Sequence, residues 1–230
     1  MRGIRTAEQI VPKGDGIYVT GANGRFRVDA TVVAAGIAVQ SQWYLWGKDT
    51  RNIITEARES SGLGYAQVSD WQMKTPILDG YGKYTGGYGL PYIDQTTPKG
   101  AVQAMAARIG LVLEALAERC PQCTGEDQLI AAALAQNGSG FYAESMMNAP
   151  MEDGRIAWDK VFRDFTSHPK GLAGVRQDIT GYQFDTTFML KLYLNDLREL
   201  HHRGWELPLV SRRWIWMLSS TSMYNQRKNR

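Results

Sequence analysis

Residues 129–135, Leu-Ile-Ala-Ala-Ala-Leu-Ala, are apolar nearly all round. A helix built from them has no face to give to water, so other elements must enclose it. That requirement selects a layered helical fold with this segment at its centre. Glu126 opens the helix, and Asn137-Gly138-Ser139-Gly140 predicts its end. Just upstream, Val102, Met105, Ala106, Ile109, Val112, Leu113 and Leu116 keep the three-and-four spacing of one buried helix face. Thr97-Pro98 starts that helix and Cys120-Pro121 stops it.

The remaining elements follow from local signals. Ile17-Tyr18-Val19 and Phe26-Arg27-Val28 flank Ala22-Asn23-Gly24, which predicts a β-hairpin. Asp29 caps a helix over residues 30–46, and Asp49 caps another that carries Ile53, Ile54 and Ala57 and stops near Ser60-Ser61-Gly62. Residues 62–94 turn to Gly and Tyr and read as irregular loop with short strands. A short amphipathic segment covers residues 157–165, and a Gly-rich loop covers 166–182. A long helix over residues 186–202 carries Phe188, Met189, Leu192, Tyr193, Leu197 and Leu200. The expected fold class is mainly α (α+β), with a hairpin extension over residues 1–28, a helical domain over 29–205 and a basic, aromatic segment over 206–230.

The 230 residues are 43% hydrophobic and 21% charged, which excludes a disordered or collagen-like chain. A formal charge of +3 gives no electrostatic footprint for nucleic acid. The tail places Trp214 and Trp216 beside Arg212, Arg213, Arg227 and Lys228, a pattern that fits binding to nucleic acid or an anionic surface, with a packed helix followed by a solvated end preferred. No apolar run follows residues 1–10 before Pro12-Lys13-Gly14-Asp15, so no signal peptide is expected. The apolar stretch over residues 30–47 is interrupted by Gln40, Ser41 and Gln42. It is shorter and more polar than a span of about 20 residues, and no membrane span is expected.

Cys120-Pro121-Gln122-Cys123 fits a zinc half-site, a redox pair or a local disulfide, with a pinned helix-to-helix turn preferred. Zinc needs further ligands, and His168, His201 and His202 are the only histidines. His201-His202 fits a helix C-terminus before Gly204 better than a metal site.

The chemistry is sought in two segments. One is Ile53-Ile54-Thr55-Glu56-Ala57-Arg58-Glu59-Ser60-Ser61-Gly62-Leu63-Gly64-Tyr65-Ala66-Gln67-Val68, a helix ending in Glu-Ser before a Gly-aromatic-x-Gln segment. The other is the core helix running into Gln136-Asn137-Gly138. Together they resemble lytic transglycosylases and goose-type lysozymes, in which a helix ends in the catalytic Glu-Ser, a Gly-Leu-Met-Gln turn follows, and a later helix ends in Ala-Tyr-Asn-Ala-Gly. The resemblance spans roughly residues 49–141. It implies a lysozyme-like helical domain with a Gly/Tyr-rich loop region, with Glu59 as catalytic acid, Ser60 after it, Gly64 and Gln67 in the turn, and Asn137 in the later motif. Glu59 and Gly64 stand closer together than in the family, which leaves Glu56, three positions away on nearly the same helix face, as the rival acid. Gln136 replaces the family's aromatic residue. Asp185-Thr186-Thr187-Phe188 lacks the tyrosine of the later Glu-Thr-x-x-Tyr-Val segment, and Tyr182 is the candidate replacement.

By that resemblance the substrate is a peptidoglycan glycan strand, cut at the MurNAc-GlcNAc β-1,4 bond without a cofactor or metal. The acid must be protonated at the working pH, which an apolar wall of Leu63, Trp71 and the tyrosines would secure. Tyr65 is placed in the sugar site, and Asp70 is the second carboxylate if water is the acceptor. Tyr81, Tyr84, Tyr88 and Tyr92 among glycines fit either a saccharide groove or a packed loop. The substrate lies in the cell envelope or outside the cell, so the chain is expected to act there, alone or within a larger exported assembly. The alternative is a non-catalytic glycan-binding or assembly module on the same scaffold.

Overall fold

The computed structural model of the protein describes residues 2–14, 16–21, 24–45, 66, 97–158, 160 and 186–207. Helices dominate among them, with two small antiparallel hairpins, so the described part is mainly α. Caps fix where the helices begin. The helix α1 covers Arg2–Ile10. In α2 (Ala30–Leu45) the Asp29 carboxylate accepts from the Thr31 amide at 2.8 Å, as an N-cap aspartate should. α3 (Pro98–Arg119) starts with Thr97 Oγ1 accepting from the Gly100 amide at 3.1 Å and with proline in its first turn, where a missing amide costs nothing. α4 (Glu126–Met147) carries Glu126 and Asp127 in its first turn, negative charge at the positive end of the helix dipole. α5 (Thr186–His202) closes on Gly204 at φ +79°. There the Trp205 amide donates to the Leu200 carbonyl at 3.1 Å and the Gly204 amide to the His201 carbonyl at 3.0 Å, the paired bonds of a Schellman ending. His201 and His202 occupy that last turn, as the sequence predicts.

The predicted end of the central helix is corrected by the structure. α4 does not stop at Asn137-Gly138-Ser139-Gly140 but runs through Asn137 to Met147. An interior glycine costs roughly 1 kcal/mol relative to alanine, less than the roughly 1.5–3 kcal/mol contributed by one buried leucine. The α3–α4 interface is the largest between described elements, and it overrides the local stop signal. Residues 129–135 are all buried, as a helix with no polar face requires.

Two elements have no counterpart in the sequence reading. In α1, Ile4 and Ala7 are buried with Val11 just beyond, and the helix packs mainly on α2. The second is a hairpin of β3 (Met151–Glu152) and β4 (Arg155–Ile156). Asp153 and Gly154 turn it with φ of 48° and 77°, the two positive values of a type I′ turn.

The hairpin predicted around Asn23-Gly24 is present as β1 (Ile17–Gly21) and β2 (Gly24–Val28), paired Ile17↔Val28, Val19↔Phe26 and Gly21↔Gly24. Its inner face lies on α3 at Gly110, where a Cβ would stand 2.9 Å from Val19 Cγ2 and 3.5 Å from Val28 Cγ2. Glycine therefore lets the hairpin approach the helix. One hydrophobic cluster joins Ile4, Val19, Val28, Ile37, Ile109, Leu134 and Leu197, and so draws on all five helices of the described residues and on the first hairpin.

The two ends of the described chain are tied together. Arg203 Nε donates to Glu199 at 2.8 Å and Arg203 Nη1 to Glu8 of α1 at 3.3 Å. Lys13 donates to the Arg203 carbonyl at 3.3 Å and lies 5.3 Å from the centre of the Trp205 ring. Thr31 Oγ1 donates to the Glu206 carbonyl. Between α3 and α4, Cys120 and Cys123 form a disulfide with both sulfur-bearing residues buried. Of the three chemistries open to this pair in the sequence, the structure has the local disulfide, pinning the turn. A loop this short gives about 2 kcal/mol in the chain-entropy description.

Candidate functional site

α3 carries a charge on its buried face. Arg108 is three positions after Met105 and four before Val112, so all three share one side of the helix. Its residue exposure is 3%, and Nη1 donates to the Ala66 carbonyl at 3.4 Å, inside the protein. Ala66 is itself fully buried. A buried carbonyl needs a donor, and a buried guanidinium needs acceptors. The bond gives the Ala66 carbonyl its donor and holds Ala66 against the middle of α3. Sequence reasoning missed Arg108. The available signal was a charge interrupting an otherwise apolar helical stripe.

A second polar cluster organises the start of α4. Asp127, 4% exposed, accepts from Arg155 Nη2 at 2.6 Å and from Trp158 Nε1 at 2.7 Å. The hydrogen bond to Asp127 and its negative charge raise the Arg155 guanidinium above its ordinary range. Both carboxylate oxygens are thereby engaged, one on the β3–β4 hairpin and one on Trp158, which makes Asp127 a fold anchor. Glu152 pairs with Lys160 next to it. Cys120 Sγ lies 3.6 Å from the Gly154 carbonyl, but a disulfide sulfur has no proton to donate, so this is packing only.

On the other side of the core, the Tyr193 hydroxyl donates to the Val32 carbonyl at 3.0 Å and joins α5 to α2. Burial, with a smaller contribution from Asp29, pushes its phenol well above the usual tyrosine range. A tyrosine held protonated in this way is a structural donor.

Of the residues singled out for chemistry, Glu56, Glu59, Ser60, Tyr65, Gln67, Asp70 and Tyr182 lie outside the described residues, as do Leu63, Trp71 and the tyrosines over 81–92. The predicted helix from Thr50 and most of the segment over 157–165 also lie outside them. Asn137 is described through its backbone, within α4 rather than in an exposed turn after it. Among the described residues no group of three or more His, Cys, Asp and Glu is placed to hold a metal ion. α3 is long and apolar enough, by length and composition, to cross a membrane, and 89% of that window is buried inside the protein. A core helix passes the same test. Comparison with protein-family models, with curated proteins and with solved structures gives no match to this chain.

Proposed function

We propose that the protein is a peptidoglycan-cleaving glycosidase on a lysozyme-like helical scaffold, acting on the MurNAc-GlcNAc β-1,4 bond. The observation that carries the reading is the order along one chain of Glu59-Ser60, Gly64-Tyr65-Ala66-Gln67, the helix opened by Thr97-Pro98, and the core helix with Gln136-Asn137. Support comes from the mainly α fold and from the seating of Ala66 against α3. In this reading Glu59, protonated, gives its proton to the glycosidic oxygen as the bond to MurNAc C1 breaks. The resulting carboxylate then takes a proton either from water, giving a hydrated product, or from the MurNAc 6-hydroxyl, giving a 1,6-anhydro sugar. Tyr65, Gln67, Ser60, Tyr182 and Asn137 shape the sugar site, Asp70 assists if water is the acceptor, and Glu56 is the rival acid.

The continuation of α4 through Asn137 departs from the family's helix-ending turn and favours a second reading, a non-catalytic glycan-binding or assembly module. Incubation of purified peptidoglycan with wild type, Glu59→Gln and Glu56→Gln separates the two. Soluble fragments from wild type and Glu56→Gln but not from Glu59→Gln support the first. Co-sedimentation with peptidoglycan and no fragments from any of the three supports the second.

A further inference from the structure

The disulfide between α3 and α4 lies against the β3–β4 hairpin. Cys120 is fully buried and Cys123 is 3% exposed, while Glu152, Asp153, Gly154 and Arg155 of the hairpin are exposed. The Gly154 carbonyl stands 3.6 Å from Cys120 Sγ, and a Cβ on Gly154 would meet Nε2 of Gln122, between the two cysteines, at 3.2 Å. Three polar ties hold the hairpin there. Arg119 Nη2 donates to the Ala149 carbonyl at its foot at 3.3 Å, Arg155 Nη2 donates to Asp127 at 2.6 Å, and Trp158 just beyond donates to the same carboxylate. Each strand has two residues, and the Arg155 side of the Asp127 pair is 59% exposed, so local opening costs far less than global unfolding.

The surroundings suit both oxidation states. As a disulfide, Cys120 only packs on the Gly154 carbonyl; as a thiol, it has that carbonyl in place as an acceptor. A bridge over so short a loop constrains the denatured chain little, and α3 and α4 share the largest interface between described elements, so reduction leaves the helix pair packed.

We propose that Cys120 and Cys123 form a reversible thiol–disulfide site with the β3–β4 hairpin as its lid, reached by a small dithiol when the hairpin lifts from α4. A thiolate of the dithiol attacks Sγ of Cys123, the less enclosed residue, forming a mixed disulfide and releasing Cys120 as a thiolate that takes up a proton. The second thiolate of the reagent then attacks its own sulfur in the mixed disulfide and releases Cys123, which takes up the second proton. Two electrons and two protons pass to the protein, and the dithiol leaves as a disulfide.

For the test, the full chain as wild type, Arg155→Ala and Asp127→Asn is incubated with dithiothreitol without denaturant, trapped with iodoacetamide and weighed by mass spectrometry. Loss of one exposed tie is expected to speed reduction about twofold to fivefold in Arg155→Ala. Loss of charge at the shared acceptor is expected to speed it about tenfold in Asp127→Asn. Low concentrations of urea are expected to change these rates little, because a local opening exposes little surface. The reduced wild type is expected to keep its helical circular dichroism and to regain the bond with oxidised glutathione. Equal rates in the three proteins, or no reduction in any of them, overturn the lid, and so do rates that climb with urea as steeply as global unfolding. Loss of helical structure on reduction, or failure to re-form the bond, overturns the reversible site.

Discussion

Replacing Gly110 with alanine sets helix propensity against packing. In an open helix interior the change gains about 1 kcal/mol. Here the added methyl meets Val19 Cγ2 at 2.9 Å and Val28 Cγ2 at 3.5 Å. Both valines are buried and both belong to paired strands, and a β-branched side chain has little rotamer freedom with which to yield. Overpacking of a well-filled site costs about 1–3 kcal/mol, so Gly110→Ala is expected to lose roughly 0–2 kcal/mol in spite of its better propensity. Val19→Ala removes the obstructing atoms. In that background Gly110→Ala should recover its intrinsic gain, giving a coupling of about 1–3 kcal/mol between the two sites. Urea unfolding of the four proteins, followed by far-ultraviolet circular dichroism, measures the cycle. A Gly110→Ala protein clearly more stable than wild type, or strictly additive changes, refutes the docking of the hairpin on α3.

Two further changes test the polar anchors. Asp127→Ala strands the Trp158 indole N–H and removes charge from the first turn of α4, for an expected loss of about 2–4 kcal/mol in denaturant unfolding. Asp127→Asn keeps one acceptor and loses about half as much, while Arg155→Ala, whose side chain is 59% exposed, loses about 1 kcal/mol or less. An Arg155→Ala loss larger than that of Asp127→Ala contradicts this ranking. Tyr193 predicts an alkaline limit, because its folded pKa is raised while an unfolded tyrosine releases its proton near about pH 10. The unfolded state then binds fewer protons than the folded one, so this contribution is complete below about pH 10 and is lost as pH rises from there through the folded value. Tyr193→Phe is expected to be about 0.5–1.5 kcal/mol less stable at neutral pH and to decline less steeply above pH 10. Parallel declines for the two proteins would show that Tyr193 does not carry the effect.

The parts of the fold legible in the sequence are those set by neighbours in the chain. Asp29 and Thr97-Pro98 act on amides two or three residues away, and the helices begin where those residues place them. The Asp153-Gly154 turn is equally local. Asn-Gly-Ser-Gly does not end α4, because that signal is local and the packing of α4 on α3 is not. α1 offers Ile4, Ala7 and Ile10, with Val11 just beyond, as its apolar stripe, and so short a segment is identified as a helix by the α2 surface that covers it. The candidate site was read from spacing along the chain. Arg108 is not legible in this way, since its partner is distant in sequence and an arginine within an apolar helical stripe gives no hint of what it reaches.

The measurement closest to the proposed function is digestion of purified peptidoglycan in oxygen-18 water, with the products weighed by mass spectrometry. A glycosidase with Glu59 as its acid releases muropeptides ending in MurNAc that either carry the heavy oxygen or are lighter by one water, and Glu59→Gln releases neither. Absence of any fragment from the wild type across pH, or fragments undiminished in Glu59→Gln, contradicts it.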